Sequence, residues 1–126
     1  MVEIGIKGYQ ELLVTEANVA TNVGSGKVKV FATPMMIALM EKAAVLSIEP
    51  FLEEGQSSVG VHVDVTHLAS TPIGMKVWAE SEVIAIDRRK ITFSVKAFNE
   101  NELIGEGTHD RFIVCIEKFQ EKAGSK

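Results

Sequence analysis

The sequence predicts an α+β fold in which a curved antiparallel sheet wraps a single apolar helix. Only the segment Met35 to Ile48 combines helix start and stop signals with apolar residues nearly all round. The other apolar stretches alternate with period two, as strands with one buried face do. Short polar turns separate these stretches and impose antiparallel pairing, and one helix cannot supply the crossovers of a parallel sheet.

The elements follow in order. A first strand is expected over Glu11 to Val14. Thr33 stands at the N-cap position and Pro34 at the first helical position, a specific start signal. The helix should end near Ile48 or Glu49, because Pro50 disfavours helical geometry in the residue before it. Val59, Val61, Val63 and Val65 alternate with Gly60, His62, Asp64 and Thr66. Met75 to Ile86, with Trp78, forms a long strand, and Asp87-Arg88-Arg89-Lys90 a hairpin turn. Ile91, Phe93, Val95 and Ala97 alternate with polar residues, and Asn99 to Glu102 turns the chain into a last strand, Leu103 to Ile116. The expected order is a strand, a long helix, then a meander of about four strands.

A chain of 126 residues fits one domain, 1–126, and buries roughly two-thirds of its unfolded surface. With 46% hydrophobic and 24% charged residues it is globular in composition, and no repeat or linker divides it. A net charge of -4 weighs against a nucleic-acid partner. The N-terminus lacks the basic and apolar regions of a secretory signal, and the helical apolar run Met35–Met40 is far below the roughly 20 residues of a membrane span. A cytoplasmic location without a membrane partner is therefore expected. Cys115 is the only cysteine, so no intrachain disulfide can form, and its apolar surroundings predict a buried, inert thiol.

Three side chains are candidates for chemistry. Glu41 interrupts the helix among Ile37, Ala38, Ala44 and Val45. Desolvation there would raise its pKa and suit acid–base work, whereas a place beside the Lys42–Glu49 stripe would leave it a solvated edge residue. Strict alternation from Val59 puts His67 on the core face, where it is either a hydrogen-bonded core residue or part of a site; a bulge at Thr66 would reverse it. Thr33 can cap the helix or meet a substrate oxygen, with Met35 and Met36 supplying free backbone donors. Thr33 and Glu41 lie ~12 Å apart along the helix, so a shared site needs a substrate or water between them, or a second copy of the chain across an interface. His62, Asp64 and His109 form only a weak metal set, and no metal is expected. Arg88-Arg89-Lys90 is most simply a solvated turn. No phosphate loop, G-x-S-x-G or C-x-x-C is present.

Val30-Phe31-Ala32-Thr33, Leu39-Met40-Glu41, Val65-Thr66-His67 with Thr71-Pro72-Ile73-Gly74, Gly105-Glu106-Gly107-Thr108-His109-Asp110-Arg111 and Ile116-Glu117-Lys118-Phe119 together resemble the fluoroacetyl-CoA thioesterase family, a branch of the hotdog-fold thioesterases. The resemblance covers most of residues 28–119, in order and at matching spacings. It implies a hotdog fold and hydrolysis of a short acyl-CoA thioester without a cofactor. It places the catalytic threonine, glutamate and histidine on Thr33, Glu41 and His67, and the substrate-contacting glycine and arginine on Gly60 and Arg111. Arg111 is then a candidate for a coenzyme A phosphate.

In the fluoroacetyl-CoA enzyme the segment before the threonine-bearing helix is longer and carries bulky aromatic residues. Here Asn22 to Lys29 has none. The expectation is activity on short or medium acyl-CoA thioesters without large fluoroacetyl preference; the alternative is a non-catalytic acyl-CoA binding module. The helix, apolar nearly all round, cannot be covered by one sheet alone. A homodimer, or a tetramer of dimers, is expected to complete the cover and the site.

Overall fold

The computed structural model describes residues 1–126. Its elements are β1 (Lys7–Leu13), α1 (Ala20–Val23), α2 (Thr33–Ile48), β2 (Gln56–His67), β3 (Lys76–Asp87), β4 (Lys90–Asn99), β5 (Leu103–Cys115) and α3 (Ile116–Gly124). Short 3-10 turns occupy Glu16–Asn18 and Glu49–Phe51. The two prolines bound α2 for the expected reasons. Pro34 lies in the first turn, where its missing N–H costs nothing, and Pro50 falls in the 3-10 turn after the last helical residue.

All strand neighbours are antiparallel, in the order β1-β3-β4-β5-β2. This sheet wrapped around α2 is the hotdog arrangement. Only β3, β4 and β5 form a meander, so the four-strand meander expected from turn spacing is corrected. β2 lies at the far edge beside β5, and residues 68–75 carry the chain across to β3. That crossing runs past the start of α2, where Phe31 N–H bonds to the Thr71 carbonyl and Val30 bridges to Pro72. Packing over the helix, not sequence adjacency, selects the partner of β2.

The core lies between α2 and the inner face of the sheet. Met36, Leu39, Met40, Ala43, Ala44 and Ile48 pack with residues such as Val77, Val83, Ile91, Phe93, Val95 and Ile104. Each fully buried large side chain contributes roughly 1.5–3 kcal/mol. The helix rests close on the sheet because two inward positions lack a side chain. A Cβ at Gly105 would stand 2.5 Å from the Met36 sulfur, and one at Gly8 would strike the Ala43 carbonyl.

The valine alternation in β2 breaks once. Gly60 pairs with Arg111 and His62 with Asp110, so Val61 is an extra, bulged residue. Strict alternation from Val59 is thereby corrected: Val59 opposes Phe112 on the outer face, while Gly60, Val63, Val65 and His67 face inward. His67 faces the core, as expected, because the register holds through Thr66.

Two further readings change at the C-terminus. Ile116 opens α3 and does not end β5, and α3 is amphipathic with no buried residue. Cys115 is exposed, because it closes β5 at the open end of the sheet opposite Gln56. No helix is long and apolar enough to cross a membrane. Along α2, Pro34, Ala38, Lys42 and Leu46 are exposed in the single chain. Val61 and Val63 are exposed on β2, whose outer edge is unpaired.

Candidate active site

Thr33 does not cap α2. Ala32 occupies the N-cap position and no side chain caps the first turn. The Thr33 hydroxyl instead shares a 2.7 Å hydrogen bond with Nδ1 of His67. The N–H groups of Met35 and Met36 both donate to the Ala32 carbonyl, at 3.0 Å, so they are not the free donors expected from sequence. Burial pushes the His67 imidazole below its usual pKa. The Ala69 backbone offsets part of this, although Nε2 forms no hydrogen bond of ordinary geometry and is buried without a partner in the chain. A shallow, mainly apolar cleft of about 300 Å³ opens beside the pair, lined by Phe31, Thr33, His67, Leu68 and Ala69, with Ser25 from the segment before α2.

Glu41 belongs to a second cluster. Its side chain keeps 40% of its exposure and faces the Arg111 guanidinium, with Oε2 3.6 Å from Nη1. Of the two places left open for Glu41 by the sequence, the structure has the partly solvated edge of the helix, where a cation meets the carboxylate. Gly60 makes the room: a Cβ there would lie 2.6 Å from Oε2 of Glu41, 3.1 Å from Cε1 of His109 and 3.3 Å from Nη1 of Arg111. The bulge at Val61 puts this glycine, and not a valine, beneath the carboxylate.

Arg111 is buried and faces inward. Its Nε donates to Ser58 Oγ at 2.8 Å and its Nη2 to the Ser58 carbonyl at 2.9 Å. Nη1 lies 3.2 Å from Nε2 of His109. Burial lowers the Arg111 pKa, and Glu41 and Glu49 act against that shift. In the single chain Nη1 of the guanidinium faces the Glu41 carboxylate.

One chain thus holds Thr33 with His67 and, separately, Glu41 with Gly60 and Arg111. The clusters lie eight residues apart on α2, ~12 Å of helical rise. Sequence reading missed Ser58 and the inward role of His109. A legible signal for His109 existed: it shares strand parity with Gly105, Gly107 and Arg111, making a basic pair on a core face. Nothing in the sequence marked Ser58. The weak metal set is divided by the sheet, since His62 and Asp64 face outward and His109 inward. No cluster of three potential ligands occurs.

Residues 14–117 match the family model described as FlK, fluoroacetyl-CoA-specific thioesterase. The fluoroacetyl-CoA thioesterase of Streptantibioticus cattleyicolor is 40% identical over 98 residues, covering 78% of this chain and 70% of that protein. A solved structure of the fluoroacetyl-CoA thioesterase FlK superposes with a TM-score of 0.95 at 31% identity, covering 100% of this chain and 98% of the other. A thioesterase superfamily member from Thermus thermophilus superposes with a TM-score of 0.91 at 31% identity, covering 99% and 93%.

Proposed function

The chain belongs to the fluoroacetyl-CoA-specific thioesterase family, and from that premise we propose how its residues hydrolyse an acyl-CoA thioester and which acyl groups they take. It is an acyl-CoA thioesterase of the hotdog fold. The kinship with enzymes sets aside a purely binding module on this fold.

The observation carrying the residue assignment is the division of polar groups between two places on one apolar helix. Thr33–His67 and Glu41–Arg111 are separate in one chain. The exposed Ala38 and Leu46 of α2, and the exposed edge of β2, offer an apolar surface beside them. A two-fold dimer covers that surface and brings Thr33 and His67 of one subunit toward Glu41 of the other.

In this composite site Glu41 is the anionic oxygen of the reaction. As a base it takes a proton from water while the water oxygen bonds to the thioester carbonyl carbon. As a nucleophile it forms that bond itself, and water then cleaves the resulting anhydride. Either route passes through a tetrahedral oxyanion, breaks the C–S bond and releases a carboxylic acid and coenzyme A thiol. His67, held by Thr33, orients the thioester and exchanges protons with the leaving sulfur. The Val61 bulge leaves a residue outside the ladder with β5, and the backbone N–H groups beside Gly60 stabilise the oxyanion. The cleft beside Thr33 takes the acyl chain. Its neighbouring segment Asn22–Lys29 carries no aromatic side chain to narrow it, and an open mouth accepts several short or medium acyl groups.

Thiol release across a panel of acyl-CoA thioesters, with Glu41→Gln beside the wild type, tests the reading. Glu41→Gln should lose at least ~10²-fold in turnover. Near-normal turnover in the folded variant removes Glu41 from the mechanism. Turnover in ¹⁸O water followed by peptide mass analysis detects the nucleophile route where water cleaves the anhydride at the Glu41 carbonyl carbon, since label then enters the Glu41 carboxylate.

A further inference from the structure

We propose that His109 is a positioning residue: a neutral imidazole, locked in one tautomer, that holds the Arg111 guanidinium against Glu41. The inference rests on the reading of Glu41 as the anionic group of the reaction. His109 is 1% exposed, on the inner face of β5. Its Nδ1 lies 2.8 Å from the His62 carbonyl oxygen, and a carbonyl only accepts, so Nδ1 carries the proton. Its Nε2 lies 3.2 Å from Arg111 Nη1, and a guanidinium only donates, so Nε2 is bare and accepts. One protonation state satisfies both partners. Protonating Nε2 would set donor against donor and place a second cation beside the guanidinium.

The surroundings act in the same direction. Burial lowers the His109 pKa most, and Arg111 lowers it further. The His62 carbonyl, Glu41 on α2 and Asp110 on β5 oppose this without reversing it.

Arg111 gains a defined orientation from three contacts. Ser58 holds Nε and Nη2, and His109 holds Nη1, the nitrogen that faces Oε2 of Glu41. A carboxylate in place of His109 would also hold Nη1, but would compete with Glu41 for the positive charge. A neutral acceptor fixes the guanidinium and leaves its charge directed at the catalytic carboxylate. The His62 carbonyl belongs to the first paired residue after the bulge, so one irregularity in β2 supplies both the Gly60 gap and the anchor for this ring.

His109→Gln and His109→Leu test the proposal. Glutamine can donate to the His62 carbonyl and accept from Arg111, whereas leucine fills the space and does neither. With acetyl-CoA, His109→Leu should lose ~10²-fold in kcat with KM changed less than about threefold, and His109→Gln should stay within ~10-fold of wild type. A packing role predicts the reverse ranking. Wild-type kcat in folded His109→Leu, or equal losses in both variants, overturns the proposal. If His109→Leu does not fold, long-range ¹H–¹⁵N spectra of the wild type decide at pH 7, since the chain has only three histidines to assign. A neutral ring protonated on Nδ1 is expected, and a proton on Nε2 overturns the proposal. The tautomer is observed without turnover, so its failure is separable from a failure of the Glu41 assignment, which Glu41→Gln measures alone.

Discussion

Gly60→Ala probes the site without removing any functional group. The backbone φ of Gly60 is outside the left-handed region, so alanine meets no backbone strain. The added methyl carbon would stand 2.6 Å from Glu41 Oε2, and the carboxylate must retreat by roughly 1 Å to restore ordinary contact. Glu41 can retreat, because its side chain keeps 40% of its exposure. His109 and Arg111, at 3.1 and 3.3 Å from the new methyl, are buried and must each yield by a few tenths of an ångström. The stability cost should therefore fall near the low end for overpacking, about 1 kcal/mol, or a few degrees in Tm. The catalytic cost should be larger. A displacement of ~1 Å in a reacting group is worth ~10²-fold in kcat, or about 2.7 kcal/mol of barrier. The assay is thiol release from acetyl-CoA beside a thermal melt of the same preparation. A folded Gly60→Ala enzyme with wild-type kcat would refute the placement of Glu41 against this strand.

Light scattering should show a dimer, or a tetramer of dimers, at micromolar concentration; an active monomer would contradict the composite site. Acetyl-CoA and fluoroacetyl-CoA compared side by side should differ by less than ~10³-fold in kcat/KM, since small apolar differences in an open cleft discriminate by only ~1–3 kcal/mol per methylene. A larger fluoroacetyl preference would show that aromatics before α2 are not needed for selectivity. Stability should fall on acidification from pH 7 toward 5. His67 and His109 have folded pKa values below the ordinary value of about 6.5, so the unfolded chain binds more protons in that range. Stability is full above about pH 6.5 and is lost as pH falls toward the folded values. A Tm unchanged or raised between pH 7 and 5 would refute this.

Local signals carried much of the fold. Proline placement set the ends of α2, because a missing N–H and a fixed φ act within a few residues. Period-two alternation located β4, whose buried positions alternate along its whole length, and β3 as far as Val83, beyond which the ladder shifts at Ile84 and the alternation stops. The hydroxyl, carboxylate and imidazole of the candidate site were also legible, as polar groups in apolar segments and through a family resemblance. Other features depended on contacts distant in sequence. The edge position of β2, the bulge at Val61, the transfer of the Thr33 hydroxyl from the helix end to His67, and the inward grip of Ser58 and His109 on Arg111 all did. Propensity and periodicity describe a residue's own turn or strand. They set neither which strand lies across from it nor where a ladder gains a residue. Those outcomes follow from fitting a sheet around α2, and they decide that Glu41 meets Arg111 in a gap left by a glycine.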